Sequence, residues 1–298
     1  MTPRERVLKT LNHEQPDIVP KSTRCSPGIL KKFNDEVGAG IPDRFLQYDS
    51  IRAGFINNEI LEEQNITTFE DYFNIEFRYV EFKPPQKIND FSIYHGDLPK
   101  LAKVDEWGIA EIPGKFEHYV EMRFPLARVK NIKELKRFPW PDPMQKYCHR
   151  HLDELTQKWH KKGYAVEGFM QTTIFEQAWY MRGLEDLFLD MMNDSPVINN
   201  YLLDKITEIK VAMARRYAEA DVDVLREYGK YLSFWGTIGT RTTMPFGTVK
   251  KVKEVSRERI DKIGRFGGLV LDPTHNLQPD VPWENIVALF EVINEYKL

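Results

Sequence analysis

The hydrophobic pattern of the C-terminal half alternates between short apolar runs and longer amphipathic stretches. Apolar runs end in Gly, Thr, Asp or His at residues 231–240 and 267–276, and a helical pattern follows each. Polar residues therefore gather where predicted strands end and helices begin. In a β/α barrel the chemistry lies at these carboxyl ends of the strands, so the pattern predicts a barrel that opens there.

The alternation is regular over 145–298. Its other predicted elements are helices over 145–162 and 183–192, a helix from Ser195-Pro196 to about Met213, and strands over 164–170 and 221–225. Only residues 226–230 separate the strand ending at 225 from the next, which starts at Tyr231. Parallel neighbours need a crossover of about a dozen residues or more. Either these strands pair irregularly, or an ancestral stretch has been lost between them.

The N-terminal part is less periodic. Thr2, Pro3 and Glu5 predict a capped helix start, and residues 17–20 predict a short strand. Residues 28–125 mix short helices with extended aromatic pieces, and we interpret them as an elaboration, with a hairpin, on a single domain over 1–298.

Composition narrows the function classes. The 298 residues are 42% hydrophobic and 29% charged, which suits a globular core. A net charge of −3 without a long basic block argues against nucleic acid as a partner. Cys25 and Cys148 form no C-x-x-C pair, and we find neither a signal peptide nor a bilayer-length apolar run. We therefore expect a cytoplasmic protein without a disulfide scaffold or a membrane partner.

His275 is the sharpest catalytic candidate. It follows a predicted strand end, where an imidazole can donate to an acidic group or shuttle a proton near neutral pH. The alternative is a histidine that closes its loop by bonding to backbone. The end of the preceding predicted strand contains Gly236, Thr237, Gly239, Thr240 and Arg241. Their backbone amides, hydroxyls and guanidinium suit the binding of an anion. The alternative is that these residues form a tight strand-to-helix turn.

Three further groups have two interpretations each. Glu176 and Tyr180 share a helix face and can position a polar substrate, while core packing is the alternative for Tyr180 and its neighbour Trp179. Asp221 and Asp223 point to one side of a strand, either as a carboxylate pair or as its solvated start, which we favour. His149 and His160 lack convincing ligand spacing and are expected on the surface.

Together these segments resemble the uroporphyrinogen decarboxylase family. Its superfamily also contains the corrinoid-dependent methyltransferases, which move a methyl group from a methylcobamide to a thiol. The resemblance rests on residues 4–7, 16–20, 105–108, 168–169, 182–183, 234–240, 245–248, 273–276 and 282–286.

The resemblance implies an α/β fold of the (β/α)8 TIM-barrel type, with a tetrapyrrole-sized cleft at the strand ends. It implies no metal or organic cofactor for decarboxylation, whereas zinc and a corrinoid belong to the methyltransferases. His275 matches the family histidine before P-x-x-P, here residues 279–282. Tyr180 and Glu176, which share a helix face, are the other two catalytic candidates. The remaining site residues are expected to bind substrate: Lys21, Arg24, Asp223 and the strand-end group from Gly236 to Arg241.

The chain also departs from the family. The decarboxylases carry an arginine-rich R-x-x-x-R loop after the first strand, and residues 21–27 offer only Lys21 and Arg24 as cations. Trp179 holds the tyrosine position, and residues 72–76 do not match the segment of the pyrrole-binding Asp. In relatives two more βα units follow the strand at 221–224, and the methyltransferases place zinc ligands there. We therefore expect an incomplete barrel, interrupted near Val224-Leu225, without a zinc set.

Three functions follow from the resemblance. The first is action on a tetrapyrrole, by family reaction the decarboxylation of uroporphyrinogen acetate side chains in porphyrin biosynthesis. The alternative is corrinoid-dependent methyl transfer, and the third is binding of a tetrapyrrole or corrinoid without catalysis. The partner is then a small tetrapyrrole or corrinoid, or a corrinoid protein, and a homodimer is compatible with the resemblance.

Overall fold

The computed structural model describes residues 1–43, 46, 61, 64–114, 120–192, 196–225, 234–264 and 267–296, without the side chains of 196–199 and 225. The chain divides into two compact units. Unit 1 contains residues 1–79, 157–167 and 228–298, and unit 2 contains residues 80–156 and 168–227.

The described residues form a mixed α/β structure. The helices are α1 (Pro3–Leu11), α2 (Pro27–Val37), α3 (Phe69–Tyr72), α4 (Ile132–Lys136), α5 (Lys146–His149), α6 (Leu152–Lys161), α7 (Ile174–Arg182), α8 (Leu184–Met192), α9 (Pro196–Glu219), α10 (Thr243–Phe246), α11 (Val249–Ile263) and α12 (Trp283–Glu295). The strands are β1 (Phe77–Glu81), β2 (Lys103–Val104), β3 (Ala110–Pro113), β4 (Val120–Arg123), β5 (Ala165–Phe169), β6 (Val224–Leu225), β7 (Phe234–Ile238) and β8 (Leu269–Pro273). None of the described helices is long and apolar enough to cross a bilayer.

Unit 1 contains the two C-terminal strands as a parallel pair. β7 pairs with β8 from Phe234 opposite Leu269 to Ile238 opposite Pro273. Lys21 bridges to Leu271 on the other edge of β8, also in parallel. All five residues of β8 are buried, as expected for a parallel strand flanked on both sides. The predicted strand at 17–20 does not form: these residues are irregular, and the parallel bridges lie at Lys21 and Cys25. Pro20 has no N–H to donate to a ladder.

The other strands form two sheets. β1, β5 and β6 form one in the order β1–β5–β6, and β2, β3 and β4 form an antiparallel meander that contains the expected hairpin. β6 and β7 are consecutive in the chain but belong to different sheets, and the connection at 226–233 lies outside the described residues. Across the residues that the structure describes no barrel closes, which is consistent with the expected incomplete barrel.

Two predicted boundaries differ from the structure. The helix expected over 145–162 is divided into α5 and α6, with Arg150 and His151 between them. The strand expected over 221–225 starts only at Val224, because Asp221 has a φ of 60° and so cannot continue an extended strand. The N-cap expected at Ser195 lies outside the described residues.

Each unit has its own apolar core. In unit 1 aromatic side chains pack in contact, with Phe73 and Phe290 4.4 Å apart and Phe33 and Phe69 5.4 Å apart between ring centroids. In unit 2 helices α7, α8 and α9 bury a cluster that includes Met181, Leu187, Leu202, Ile206 and Leu135. The sequence periodicity predicted this buried face for α9.

A buried carboxylate joins the N-terminal segments of unit 1. Glu76, which is 1% exposed, accepts hydrogen bonds from the backbone N–H of Lys21 at 3.0 Å and from the Lys21 ammonium at 3.3 Å. The Arg6 guanidinium donates to the same carboxylate at 2.9 Å, and its other two nitrogens donate to the Asp17 carboxylate at 2.7 and 2.9 Å. The Glu76 carboxylate thus connects α1, the extended segment that contains Lys21, and the start of β1.

We predict that Glu76→Gln destabilises the protein by about 3 kcal/mol, because removing one partner of a buried pair leaves the Lys21 charge uncompensated. Asp35→Asn is the matched control, since it breaks the exposed Lys31–Asp35 pair and should cost only about 0.3 kcal/mol. Urea denaturation measures both free energies of unfolding. Equal losses would show that the Glu76 pair is no stronger than a surface pair.

Acid stability is expected to depend on Asp17. Its hydrogen bonds from Arg6 lower the pKa of this carboxyl, against an opposing effect of burial. The folded state therefore holds the Asp17 proton less tightly than the unfolded chain does. This stabilisation is present above the unfolded pKa of about 4 and is lost as the pH falls through the lower folded value. Asp17→Asn should be less stable at pH 6 and should show a shallower decline below about pH 4; parallel pH profiles would contradict the expectation.

Candidate functional site

The loops that follow three parallel segments of unit 1 meet at one edge. The Leu277 N–H donates to the Arg24 carbonyl at 2.9 Å, and Ser26 returns a bond to Leu277 at 3.0 Å. On the other side of β8, the hydroxyls of Thr240 and Thr274 lie 3.2 Å apart. The structure thus brings together the loops that carry Arg24, Thr240 and His275, which we call the strand-end edge.

A group of polar side chains lies beneath the strand-end edge. The Tyr79 hydroxyl donates to the Thr23 carbonyl at 3.1 Å and lies 3.1 Å from the Ser22 hydroxyl. The Trp235 indole N–H donates to Asp272, a buried residue of β8, at 2.7 Å. We name Ser22, Tyr79, Trp235 and Asp272 the polar cluster.

Electrostatics keep the Tyr79 phenol protonated. Burial raises its pKa well above the usual value, and the carboxylates of Glu167 and Asp272 raise the pKa further, with small opposing effects of Ser22 and Arg24. Tyr79 is therefore a neutral hydrogen-bond donor at physiological pH. The Thr23 carbonyl holds the Tyr79 hydroxyl in place and the Trp235 indole N–H holds Asp272, so both side chains of the polar cluster are fixed by hydrogen bonds.

The backbone of β7 is strained where it approaches the strand-end edge. Gly236 has a φ of 107° and Thr237 a φ of 85°, and the latter is a rare conformation for a β-branched residue. The Thr237 hydroxyl is buried and has no hydrogen-bond partner among the described residues. Such strain, together with an unsatisfied hydroxyl, is typical of positions selected for function and not for stability.

The candidate residues on the strand-end edge are accessible. His275 and Arg241 are exposed, and Arg24, Gly239 and Thr240 are half-buried. Within the described part of the chain, the His275 imidazole makes no hydrogen bond, so the structure does not show the loop-closing bond that was its alternative interpretation. Lys21, by contrast, is 1% exposed and its ammonium group binds Glu76, which leaves Arg24 as the cation of that loop.

The remaining candidates belong to unit 2. Glu176 closes the capping box of α7 with Thr173 and accepts a hydrogen bond from Tyr180 at 3.1 Å. Both side chains are half-buried, and the ring centroids of Tyr180 and Trp179 are 4.1 Å apart. Asp223 is half-buried just before β6. These contacts show that Glu176 caps the start of α7. Its position three residues after Thr173 is the sequence signature of such a capping box.

Sequence reasoning missed Tyr79, Trp235 and Asp272. Asp272 is the acidic residue in an otherwise apolar buried strand, and Tyr79 lies between Arg78 and Val80 in β1. A charged residue inside such a run is a signal for an interior polar site. The family resemblance pointed to loop residues instead of to these strand residues.

Zinc ligation does not fit the described residues. They contain no group of three or more His, Cys, Asp or Glu side chains that could hold a metal ion. Burial raises the pKa of the Cys25 thiol well above its usual value, and the Glu70 and Asp272 carboxylates raise it further. Burial likewise raises the pKa of Cys148. Since zinc binds thiolates, two buried protonated thiols are poor ligands.

Comparison with known proteins supports the fold. No family model matches the chain, and no curated protein matches it by sequence. Among solved structures, the chain is similar to a methyltransferase from Methanosarcina mazei, with a TM-score of 0.58 and 14% identity over 99% of this chain and 99% of that chain. This similarity shows a mixed α/β fold related to that of a TIM-barrel-type methyltransferase.

We expect the native thiols to be unreactive. At pH 8, Cys148→Ala should react with a chromogenic disulfide reagent at roughly a tenth of the rate of the denatured chain or less, because Cys25 is buried and protonated. Stopped-flow absorbance measures the rate, and the same variant in denaturant is the control. Rapid stoichiometric reaction of the folded variant would establish an accessible Cys25 thiolate.

Proposed function

We propose that this chain transfers methyl groups from a methylcobamide substrate and is not a uroporphyrinogen decarboxylase. The observation that carries the proposal is the end-to-end fold similarity to a methyltransferase. At 14% identity the similarity describes the fold, so the residues of the strand-end edge must supply the chemical argument.

The charges on the strand-end edge favour methyl transfer over decarboxylation. Uroporphyrinogen carries eight carboxylates and needs several fixed cations. The Lys21 ammonium is neutralised by Glu76, and the polar cluster below the edge places the Asp272 carboxylate in the interior. Among the described residues of the strand-end edge the other cations are Arg24 and Arg241, which is a sparse set for so anionic a substrate.

His275 is the proposed base. Methyl transfer breaks the carbon–cobalt bond of the methylcobamide substrate and leaves the electron pair on cobalt, so that a cob(I)amide departs. The methyl carbon forms a bond to an acceptor nucleophile, which gives up a proton. An exposed imidazole on the strand-end edge can accept that proton near neutral pH. Arg24 and Arg241 would hold an anionic group of the acceptor, and the Thr240 hydroxyl would orient it.

No step of this proposal runs through zinc, because the described residues do not offer a ligand set for it. Deprotonation of the acceptor therefore falls to His275. The Thr237 hydroxyl, which has no hydrogen-bond partner among the described residues, would serve as a neutral donor toward bound substrate.

The test is anaerobic incubation of the purified chain with methylcobalamin and a thiol, followed by the visible spectrum of the cobalamin and by mass spectrometry of the methyl thioether. Protein-dependent demethylation is expected, and His275→Ala should slow it roughly 100-fold. His160→Ala on α6 is the matched control and should keep the wild-type rate.

Two other outcomes would overturn methyl transfer. Loss of carboxylates from uroporphyrinogen, seen by chromatography of the oxidised porphyrins, would assign the decarboxylase reaction. A spectral shift of methylcobalamin on binding, without demethylation above the protein-free background, would assign a corrinoid-binding protein without turnover.

A further inference from the structure

The loop that carries His275 is anchored in unit 1 on both sides of the imidazole. At its start, the Thr274 N–H donates to a carbonyl of β7 at 2.8 Å. Further along, the Leu277 N–H donates to the Arg24 carbonyl at 2.9 Å. We call residues 274–281 the histidine loop. His275 is exposed between these two anchors, so the place of its imidazole depends on how firmly the loop is held.

A lysine of α2 holds the far end of the histidine loop. The Lys32 ammonium donates to the carbonyls of Pro279 and Val281 at 3.0 and 2.7 Å. The turn that presents these carbonyls is closed by a bond from the Val281 N–H to the Gln278 carbonyl at 3.0 Å. Val281 is buried, and a buried carbonyl needs a hydrogen-bond partner. Lys32 supplies that partner with a charge-assisted bond, which is stronger than a neutral one.

A glycine of the same helix makes room for the histidine loop. Gly28 and Lys32 are four residues apart, so they lie on one face of α2. A Cβ atom added at Gly28 would lie 2.5 Å from Cγ of Pro279, which is closer than two such carbons can approach. The Pro279 ring therefore packs directly against the backbone of Gly28. The P-x-x-P sequence after His275 thus docks on α2 by one close contact and two charge-assisted hydrogen bonds.

We propose that Lys32 is a positioning residue, which holds the histidine loop so that the His275 imidazole keeps a fixed place on the strand-end edge. Lys32 acts through the loop and is assigned no contact with substrate. The catalytic part of this inference rests on the proposed methyl transfer, in which His275 accepts a proton from the acceptor. A misplacement of about 1 Å can cost roughly 100-fold in rate, so a loosened loop should slow that step.

Amide hydrogen exchange followed by NMR tests the hold on the loop directly. In Lys32→Met the Leu277 N–H should exchange about tenfold faster than in wild type, because the far anchor of the loop is lost. The Leu271 N–H of β8, which donates to the Pro20 carbonyl, should keep its wild-type rate. Lys31→Met is the matched control: it removes the same charge from an exposed position of α2 and should leave both amides unchanged.

Demethylation of methylcobalamin tests the catalytic consequence. Lys32→Met should lower kcat about tenfold and keep KM within about twofold, because Lys32 orders the base and does not bind substrate. Lys32→Arg, whose guanidinium can donate to both carbonyls, should recover most of the rate. Gly28→Ala keeps every charge but pushes against Pro279, so it should lower kcat and speed the Leu277 exchange in the same way.

Unchanged Leu277 exchange in Lys32→Met would overturn the proposal, whatever reaction the chain performs. Equal acceleration at Leu271 would also overturn it, because it would indicate a general loss of stability. Faster Leu277 exchange with an unchanged kcat in an active enzyme would contradict the positioning role. An inactive wild-type chain would instead overturn methyl transfer, and the exchange rates would still decide whether Lys32 holds the loop.

Discussion

The buried Glu76 carboxylate is the constraint on which unit 1 depends. A charge in the interior is costly unless it is paired and hydrogen-bonded, and Glu76 meets that condition only with both Lys21 and Arg6 in place. Arg6 lies on α1 and Lys21 on the segment that flanks β8. The N-terminal helix, the first extended segment and β1 must therefore assemble together, and the loop after Lys21 is positioned as a result.

The ion pairs of Glu76 determine which charged side chains lie at the strand-end edge. Because Lys21 neutralises Glu76, the strand-end edge keeps arginines and a histidine at its surface, while Tyr79 and Asp272 lie below it. The candidate site thus offers an accessible imidazole at its edge, while the Tyr79 phenol and the Asp272 carboxylate are held by hydrogen bonds in the same unit. Such an arrangement suits proton removal from a small acceptor better than it suits the binding of eight carboxylates.

Much of the regular half was predictable. Short apolar runs predict the strands β5, β7 and β8, and a longer amphipathic stretch predicts the helix α9. The two patterns differ because a strand buried on both faces is apolar throughout, whereas a helix buried on one face is apolar only at helical spacing. The meeting of the loops at 24–26 and 274–277 follows from parallel pairing alone. The polar cluster as a group was not predictable: Asp272 signals an interior polar site, but Tyr79 is separated from it by most of the chain. Its members are neighbours only because their segments pack together.

The sequence by itself determined the alternation of elements, the helix cap at Thr2, and the short connection between the strands at 221–225 and 231–240, because these depend on local spacing. The tertiary structure alone decided that Lys21 is an internal counter-ion and that Tyr79, from β1, and Asp272, from β8, lie close enough for the carboxylate to raise the pKa of the phenol. The physical reason is that the role of a charge depends on its burial and its partners, and both are set by residues distant in sequence.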